Sequence, residues 1–246
     1  MTLHISKKVI YITSFIVCTF TLFSKSITSK KTENTFHKKL SAVFEKIKSK
    51  PLIEADLSYH LYSSFSEKVT TTSGKLLLKK PYFFKWDILK PEKELQIYNG
   101  DTLWKYMPSS KHAQCIPLAP QKIHFLEFFN DLKTLEKEFS LSQSSLKTFN
   151  TLSRQKYSQI TPLKESSKHD KIFLKLIPKK SQHTNDLYYF LYLDGKKGEI
   201  HEVFISKKNG NQLLFIFSHE KTLASLKDEN AFVFKPKKGM IIDKCK

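Results

Sequence analysis

Apolar residues near the start of the chain recur every three or four positions, a period that is typical of an amphipathic helix. The repeating positions are Phe36, Leu40, Val43, Phe44 and Ile47. Pro51 follows them, and we expect the helix to end before it because proline has no N–H to continue the hydrogen-bond ladder. The pattern therefore predicts one helix ahead of the first strand.

From Leu57 onwards the period of the apolar residues becomes two, which predicts β-strands with one apolar face. In the first strand Leu57, Tyr59, Leu61 and Phe65 are predicted to share that face. Further strands are predicted at residues 76–80, 84–88, 95–98, 102–107, 156–160, 171–177, 186–193, 199–207, 212–219 and 231–235. Asn-Gly and Asp-Gly pairs join several of these strands by short turns. This arrangement predicts a mainly β fold with some α, built on an antiparallel meander of roughly ten or eleven strands.

A segment at about residues 121–155 interrupts the strands with a helical period. Its apolar side is formed by Phe125, Phe128, Phe129, Leu132, Leu135 and Phe139. A second, weaker helix carrying Leu146, Phe149 and Leu152 would be capped by Ser142 or Ser144. A nearly closed sheet of about ten strands encloses more space than its own side chains fill. We therefore expect a helical lid over a hydrophobic cavity, and a fully packed helix-on-sheet core is the alternative.

Residues 1–26 have the pattern of a secretory signal peptide. Two lysines, Lys7 and Lys8, precede an uncharged and mostly apolar run at 9–23, and small residues at 24 and 26 form a cleavage site. An uncleaved anchor is the alternative. Cys18 follows Val17, which is too large for cleavage of the lipoprotein type. We expect an exported chain whose residues 27–246 form a single domain.

The chain is strongly basic, because 42 lysines and arginines outnumber 23 acidic residues and leave a formal net charge of +19. Arg154 is the only arginine, whereas recognition of bases and phosphates favours the arginine fork. We therefore expect no nucleic-acid partner, and we interpret the lysines as a solvated surface with some attraction to anionic membranes. Hydrophobic residues make up 40% of the 246 positions and include 20 phenylalanines, which indicates a folded domain.

No catalytic or cofactor-binding motif is present in the sequence, so we expect no enzymatic activity, no cofactor and no metal. His112 and Cys115 are close in sequence, but a metal site needs further ligands and the next candidate, His124, is distant. Cys115 and Cys245 remain after export, either as a disulfide or as two free thiols.

A series of short motifs occurs in a characteristic order. A strand led by Gly74 is followed by Lys80-Pro81, by a Phe-x-Trp at 84–86, and by an Asn-Gly turn before Trp104. Near the end, Asp-Gly at 194–195 and the stretch 232–243 agree with the same pattern. Together these motifs resemble the periplasmic outer-membrane lipoprotein carrier family, LolA. The resemblance covers about residues 36–244 and is weakest across the helical insert.

The resemblance implies an open, incomplete antiparallel β-barrel with a helical lid over a hydrophobic cavity. It implies a monomeric periplasmic carrier that shields the acyl chains of lipoproteins and makes no covalent bonds. The implied partners are the lipoprotein cargo, an inner-membrane lipoprotein-releasing ABC transporter and an outer-membrane lipoprotein receptor. A related receptor or sensor of the same fold, or a lipid-modifying enzyme, is the alternative.

The resemblance also implies where the site lies. The implied acyl-chain cavity consists of Leu76, Leu78, Phe84, Trp86 and Ile88. The implied lid contains Phe125, Phe128, Phe129, Leu132 and Phe139. In the family an arginine before the proline holds the lid by bonding backbone carbonyls of the lid helices, whereas this chain has Lys80. Lysine lacks the planar fork of arginine, so Lys80 is either a weaker latch or merely the solvated end of a strand.

Overall fold

The computed structural model describes residues 34–118, 124–164, 170–179, 185–243 and 245. The predicted signal peptide lies outside these residues. The chain divides into two compact units, of which the first ends at Ser41 and the second runs from Ala42 to Lys246. The first unit contributes only the start of a helix to the described residues, and the features below belong to the second unit.

Four helices occur in the described part of the chain. They are α1 at 34–48, α2 at His124–Glu127, α3 at Leu132–Glu138 and α4 at Leu146–Arg154. The helix predicted ahead of the first strand is confirmed by α1. Within these described ranges we find no helix that combines the length and the apolar character required to cross a membrane.

The described strands form one sheet of 12 strands. The strands are β1 (Leu52–Ser63), β2 (Lys68–Lys79), β3 (Phe83–Lys90), β4 (Glu94–Asn99), β5 (Thr102–Met107), β6 (His112–Pro117), β7 (Phe139–Gln143), β8 (Lys171–Pro178), β9 (Asp186–Asp194), β10 (Glu199–Lys207), β11 (Gln212–Thr222) and β12 (Ile241–Asp243). Their order across the sheet is β12-β6-β5-β4-β3-β2-β1-β11-β10-β9-β8-β7. Neighbours are antiparallel except β12 and β6, which are parallel. The sheet ends at β12 and β7 without closing, which confirms the open antiparallel prediction with more strands than expected.

Several strand predictions are wrong. Residues 156–160 and 231–235 form turns and irregular structure instead of strands. Tyr157 and Phe232 are buried there because they insert into hydrophobic clusters on the sheet instead of pairing in it. Phe65 lies in the β1–β2 turn and is 99% exposed, so it does not share the face of Leu57. The pattern also does not predict β6, β7 or β12.

Both faces of the sheet carry buried apolar side chains. In β9, Tyr189 and Leu191 lie on one face and Phe190 and Tyr192 on the other, and all four are buried. Following the pairing register across the sheet puts Leu76 on the same face as Tyr189, and we call this the front face. The face of Tyr192 is the back face.

Different segments cover the two faces. Residues 124–139, which we call the aromatic segment, place Phe128 against Tyr189 on the front face with ring centroids 5.5 Å apart. On the back face α4 packs Phe149 against Tyr192, and residues 223–240, which we call the tail, cover another part of the sheet. Ser145 caps α4, and not Ser142 or Ser144 as predicted. The helical insert therefore covers parts of both faces of the sheet, because α4 lies on the face opposite α2 and α3.

Candidate apolar binding site

The five residues of the implied cavity lie together on the front face of β2 and β3. Leu76 pairs with Trp86 and Leu78 pairs with Phe84, so these four side chains form adjacent cross-strand pairs. With Ile88 they alternate with residues on the back face, and all five are at most 8% exposed. We call these five residues the wall.

Gly74 lets β2 and β3 approach closely next to the wall. A Cβ atom at this position would lie 2.0 Å from the carbonyl oxygen of Asp87 and 2.7 Å from the Cα atom of Ile88. The β2–β3 register shifts between Ser73 and Gly74, which is typical of a β-bulge. The glycine is therefore required because any side chain would push β3 away and displace Ile88 from the wall.

The aromatic segment packs directly on the wall. Phe125 of α2 lies between Phe84 and Phe215, with ring centroids 5.8 Å and 5.4 Å away. Phe129 meets Phe217 edge to face with 5.4 Å between ring centroids. These geometries are favourable for aromatic pairs. The front face is therefore covered by side chains of the aromatic segment, which occupy the space in front of the wall.

The implied lid is not one continuous helix. α2 ends at Glu127, a short break follows, and α3 begins at Leu132 with Asp131 as its N-cap. Asp131 Oδ1 accepts a hydrogen bond of 2.9 Å from the backbone N–H of Thr134. Phe139 starts β7 instead of ending the helix, yet it still packs against Tyr189 with ring centroids 5.2 Å apart.

Three carboxyl groups, those of Glu127, Glu138 and Asp186, lie close enough to influence one another where the aromatic segment packs on the sheet. Burial raises the pKa of Glu127 to about 7, and the nearby charges of Glu138 and Asp186 add to the increase. The hydroxyl of Tyr189 donates a hydrogen bond to Asp186, whose other oxygen lies 3.5 Å from Lys207 Nζ. Because burial favours the neutral form of Glu127, ionisation of this group opposes seating of the segment on the sheet.

Lys80 is partly buried and does not simply end a strand in solvent. Its Nζ donates a hydrogen bond to the carbonyl oxygen of Ile47 in the last turn of α1. Burial lowers the pKa of Lys80 to about 8, against a raising effect of Glu220 and with a further lowering effect of Lys50. This hydrogen bond joins the turn that follows β2 to α1, whereas the resemblance implied a bond to carbonyls of the lid helices.

Lys50 completes the contacts at this end of α1. Its Nζ lies 2.7 Å from Glu220 Oε1 and 2.8 Å from the carbonyl oxygen of Gly198. Lys46 also bonds the β9–β10 turn, through the carbonyl oxygens of Gly195 and Lys196. The end of α1 is therefore attached to three parts of the sheet, namely the turn that follows β2, β11 and the β9–β10 turn.

Sequence reasoning missed three aromatic residues of the site, namely Tyr189, Phe215 and Phe217. Their strands are predicted by alternation, but alternation does not tell which face of a distant strand meets the insert. They are recognisable only through the register that places Phe215 opposite Tyr59, and Phe217 opposite Leu57.

Metal-ligating groups come together in one place in the described part of the chain. Asp194, Glu199 and His201 offer ligand atoms within 4.8 Å of one another. Asp194 Oδ1 already accepts the backbone N–H groups of Lys196 and Lys197 at 2.9 and 3.0 Å, which explains its burial as part of a turn. Cys115 is not available as a metal ligand because it is joined to Cys245 by a disulfide.

Comparison with known proteins identifies relatives of this chain. Residues 54–153, which run from β1 into α4, match the family described as outer membrane lipoprotein carrier protein LolA. An outer-membrane lipoprotein carrier protein of Psychromonas ingrahamii is 27% identical over 113 residues, which are 46% of this chain and 51% of that protein. The chain thus spans about half the length of that relative. The Coxiella burnetii (strain CbuK_Q154) protein of the same name is 26% identical over 177 residues, 72% of either chain.

Solved structures also resemble this fold. A LolA superfamily protein from Nitrosomonas europaea aligns with a TM-score of 0.40 at 12% identity, covering 78% of this chain and 96% of that one. An uncharacterized conserved protein from Thermus thermophilus aligns with a TM-score of 0.48 at 10% identity, covering 85% and 99%.

Proposed function

We propose that this protein carries lipoproteins by binding their acyl chains on its front face, because residues 54–153 match the family described as outer membrane lipoprotein carrier protein LolA. The observation that supports the proposal is the position of Phe125 between Phe84 and Phe215. The aromatic segment occupies the apolar surface that an acyl chain would cover in the loaded protein.

The aromatic segment has the properties expected of a displaceable cover. α2 has 4 residues and α3 has 7, and helices this short depend on tertiary packing for their stability. An acyl chain that replaces Phe125 on the wall restores apolar contacts at about 0.8 kcal/mol per buried methylene. Exchange between the two occupants therefore costs little net free energy, and a carrier needs this because it must also release its cargo.

The proposed role includes a compartment and partners. Residues 1–26 would direct export of the chain and their removal would release it in the periplasm, where an inner-membrane lipoprotein-releasing ABC transporter would load it. An outer-membrane lipoprotein receptor would accept the cargo. Transfer of an acyl chain between apolar surfaces breaks no covalent bond, so the proposal requires no catalytic residue and no cofactor.

The proposal is tested by matched substitutions at a buried and an exposed phenylalanine. Phe84→Glu puts a charge on the wall, where Phe84 is 3% exposed, whereas Phe65→Glu makes the same change at a position that is 99% exposed. We expect Phe84→Glu to weaken binding of a fluorescent fatty acid about tenfold or more, and Phe65→Glu to leave it unchanged. Circular dichroism checks that both variants are folded.

A third variant separates binding from folding. Phe125→Ala removes the ring that stands between Phe84 and Phe215, so it should strengthen fatty-acid binding because less contact is lost when the aromatic segment leaves. Weaker binding by Phe125→Ala, or equal binding by the two glutamate variants, would contradict the proposal.

A further inference from the structure

The tail crosses the back face of the sheet without forming regular structure. Its first residue is held by a hydrogen bond of 3.0 Å from the N–H of Leu223 to the carbonyl oxygen of Leu52. Beyond its other end, β12 pairs with β6 and Cys245 is joined to Cys115. Between these attachments Phe232 is buried against Phe83, with ring centroids 5.8 Å apart. The tail is thus fixed at both ends and packed against the sheet in between.

A cleft with a volume of about 370 Å³ lies between the tail and the sheet. Leu95 and Ile97 of β4 line it from the sheet, and Ala231 and Phe234 line it from the tail. This volume is within the range of pockets that hold small ligands. The cleft is separate from the wall, because Ile97 lies on the back face and its neighbour Tyr98 pairs with Phe84 on the front face.

The charged residues that line the cleft are mostly cationic. Lys85, Lys235 and Lys237 line it together with one carboxylate, Asp228. Asp228 Oδ1 already accepts the backbone N–H of Asn230 at 2.9 Å, within the tail itself. The two tail lysines are exposed, so their long side chains can move toward a bound anion.

We propose that this cleft is a second binding site, which takes an amphiphile with one apolar chain and an anionic end group. The apolar chain lies on Leu95, Ile97 and Phe234, and the anionic group meets Lys235 and Lys237 at the opening. A phosphate of a lipid headgroup and the carboxylate of a free fatty acid share this chemistry. The site does not depend on the carrier function proposed for the front face, because the sheet separates the two.

The two tryptophans of the chain report on the two faces separately. Trp104 is stacked on Phe234 of the cleft, with ring centroids 4.7 Å apart and an angle of 16° between the rings. Trp86 belongs to the wall on the front face. In the full chain carrying Trp86→Phe, tryptophan fluorescence therefore comes from Trp104 alone, and Trp104→Phe leaves only the front-face reporter.

The experiment titrates the Trp86→Phe protein with dodecyl phosphate, dodecanoate and dodecyltrimethylammonium below their micelle concentrations. We expect a saturable change of Trp104 fluorescence with an anionic amphiphile and about tenfold weaker binding of the cationic one. Lys235→Gln with Lys237→Gln should weaken anion binding by about tenfold, and both residues are exposed, so folding is not at risk. A preference for phosphate indicates a lipid headgroup, and a preference for carboxylate indicates a fatty acid.

Two results would overturn the second site. One is the absence of a saturable change of Trp104 fluorescence with both anionic compounds. The other is equal binding of the cationic and anionic amphiphiles that the lysine substitutions do not alter. The Trp104→Phe protein serves as the control, because its Trp86 signal should not respond to the lysine substitutions. Loss of front-face binding with intact cleft binding would count against the carrier proposal alone.

Discussion

The Cys115–Cys245 disulfide is expected to be a major contributor to the stability of this protein. The two cysteines are 130 residues apart in sequence, so the bond closes a loop that contains six of the 12 strands, β7 to β12. In the chain-entropy description, cross-linking a loop of 130 residues stabilises the fold by about 5 kcal/mol. Breaking the bond should lower the free energy of unfolding by up to that amount, because the unfolded chain regains the lost conformations.

The cleanest perturbation is Cys245→Ser. Cys245 is exposed, whereas Cys115 is 6% exposed, so substituting Cys245 removes the bond without placing a hydroxyl in the core. We expect urea unfolding at pH 7 to shift to lower urea concentration, and reduced wild type to match the variant. With Trp86→Phe added, fluorescence of Trp104 should change at a lower urea concentration than circular dichroism at 218 nm does. The reason is that β12 pairs through only three residues, so without the disulfide the tail is held to the sheet by noncovalent contacts alone.

The entropic reasoning would be refuted if oxidised wild type, reduced wild type and Cys245→Ser all unfolded at the same urea concentration. It would also fail if the variant lost stability while reduced wild type did not. In that case the serine itself, and not the missing bond, would be responsible.

Three other predictions follow from buried charges. The folded-state pKa of Glu127 is raised from 4.5 to about 7, so the covered front face loses stability as pH rises through this window. Fatty-acid binding should therefore increase from pH 5 to pH 8 in wild type but much less in Glu127→Gln, and parallel pH profiles would contradict this. The folded-state pKa of Lys80 is lowered from 10.5 to about 8, so this group makes the fold more stable as pH rises from 8 towards 10.5, and Lys80→Met should abolish that gain in thermal unfolding. Arg154 Nη2 lies 2.7 Å from both carboxylate oxygens of Glu202 in a buried pair, so Arg154→Met should cost about 3–5 kcal/mol in urea unfolding. Arg154→Met with Glu202→Gln should recover part of that loss, and equal stability of the single and double variants would show that the uncompensated carboxylate is not the cause.

Local patterns predict most of the sheet but fail where apolar residues are buried without strand pairing. Residues 231–234 are four consecutive apolar residues, as in a buried strand, yet 231–235 form a turn and irregular structure in which Phe232 packs in one cluster with Leu52 and Ile97. The apolar run reflects the burial of Phe232, and burial does not require strand pairing. Phe139 shows the opposite case, because it continues the helical period of the aromatic segment but starts a strand that pairs with β8.

The candidate site was predicted in part because its wall is local in sequence. The wall residues occupy two adjacent strands joined by a short turn, so alternation and a handful of motifs are enough to place them on one face. The partners of Phe125 on the sheet come from β3 and β11, which are distant in the chain. Their meeting depends on the order β3-β2-β1-β11 across the sheet, which no local period contains.

By itself the amino-acid sequence determined the antiparallel class and the presence of an aromatic insert, because periodicity and turn residues act over short distances along the chain. The resemblance carried by its short motifs implied the open barrel and the wall. Only the tertiary structure decided that the insert covers parts of both faces of the sheet and that Lys80 donates a hydrogen bond to α1. It also decided that the tail leaves a cationic cleft on the back face. These features arise from pairing register and long-range packing. A residue's own neighbours in sequence fix its side of a strand but not what covers that side.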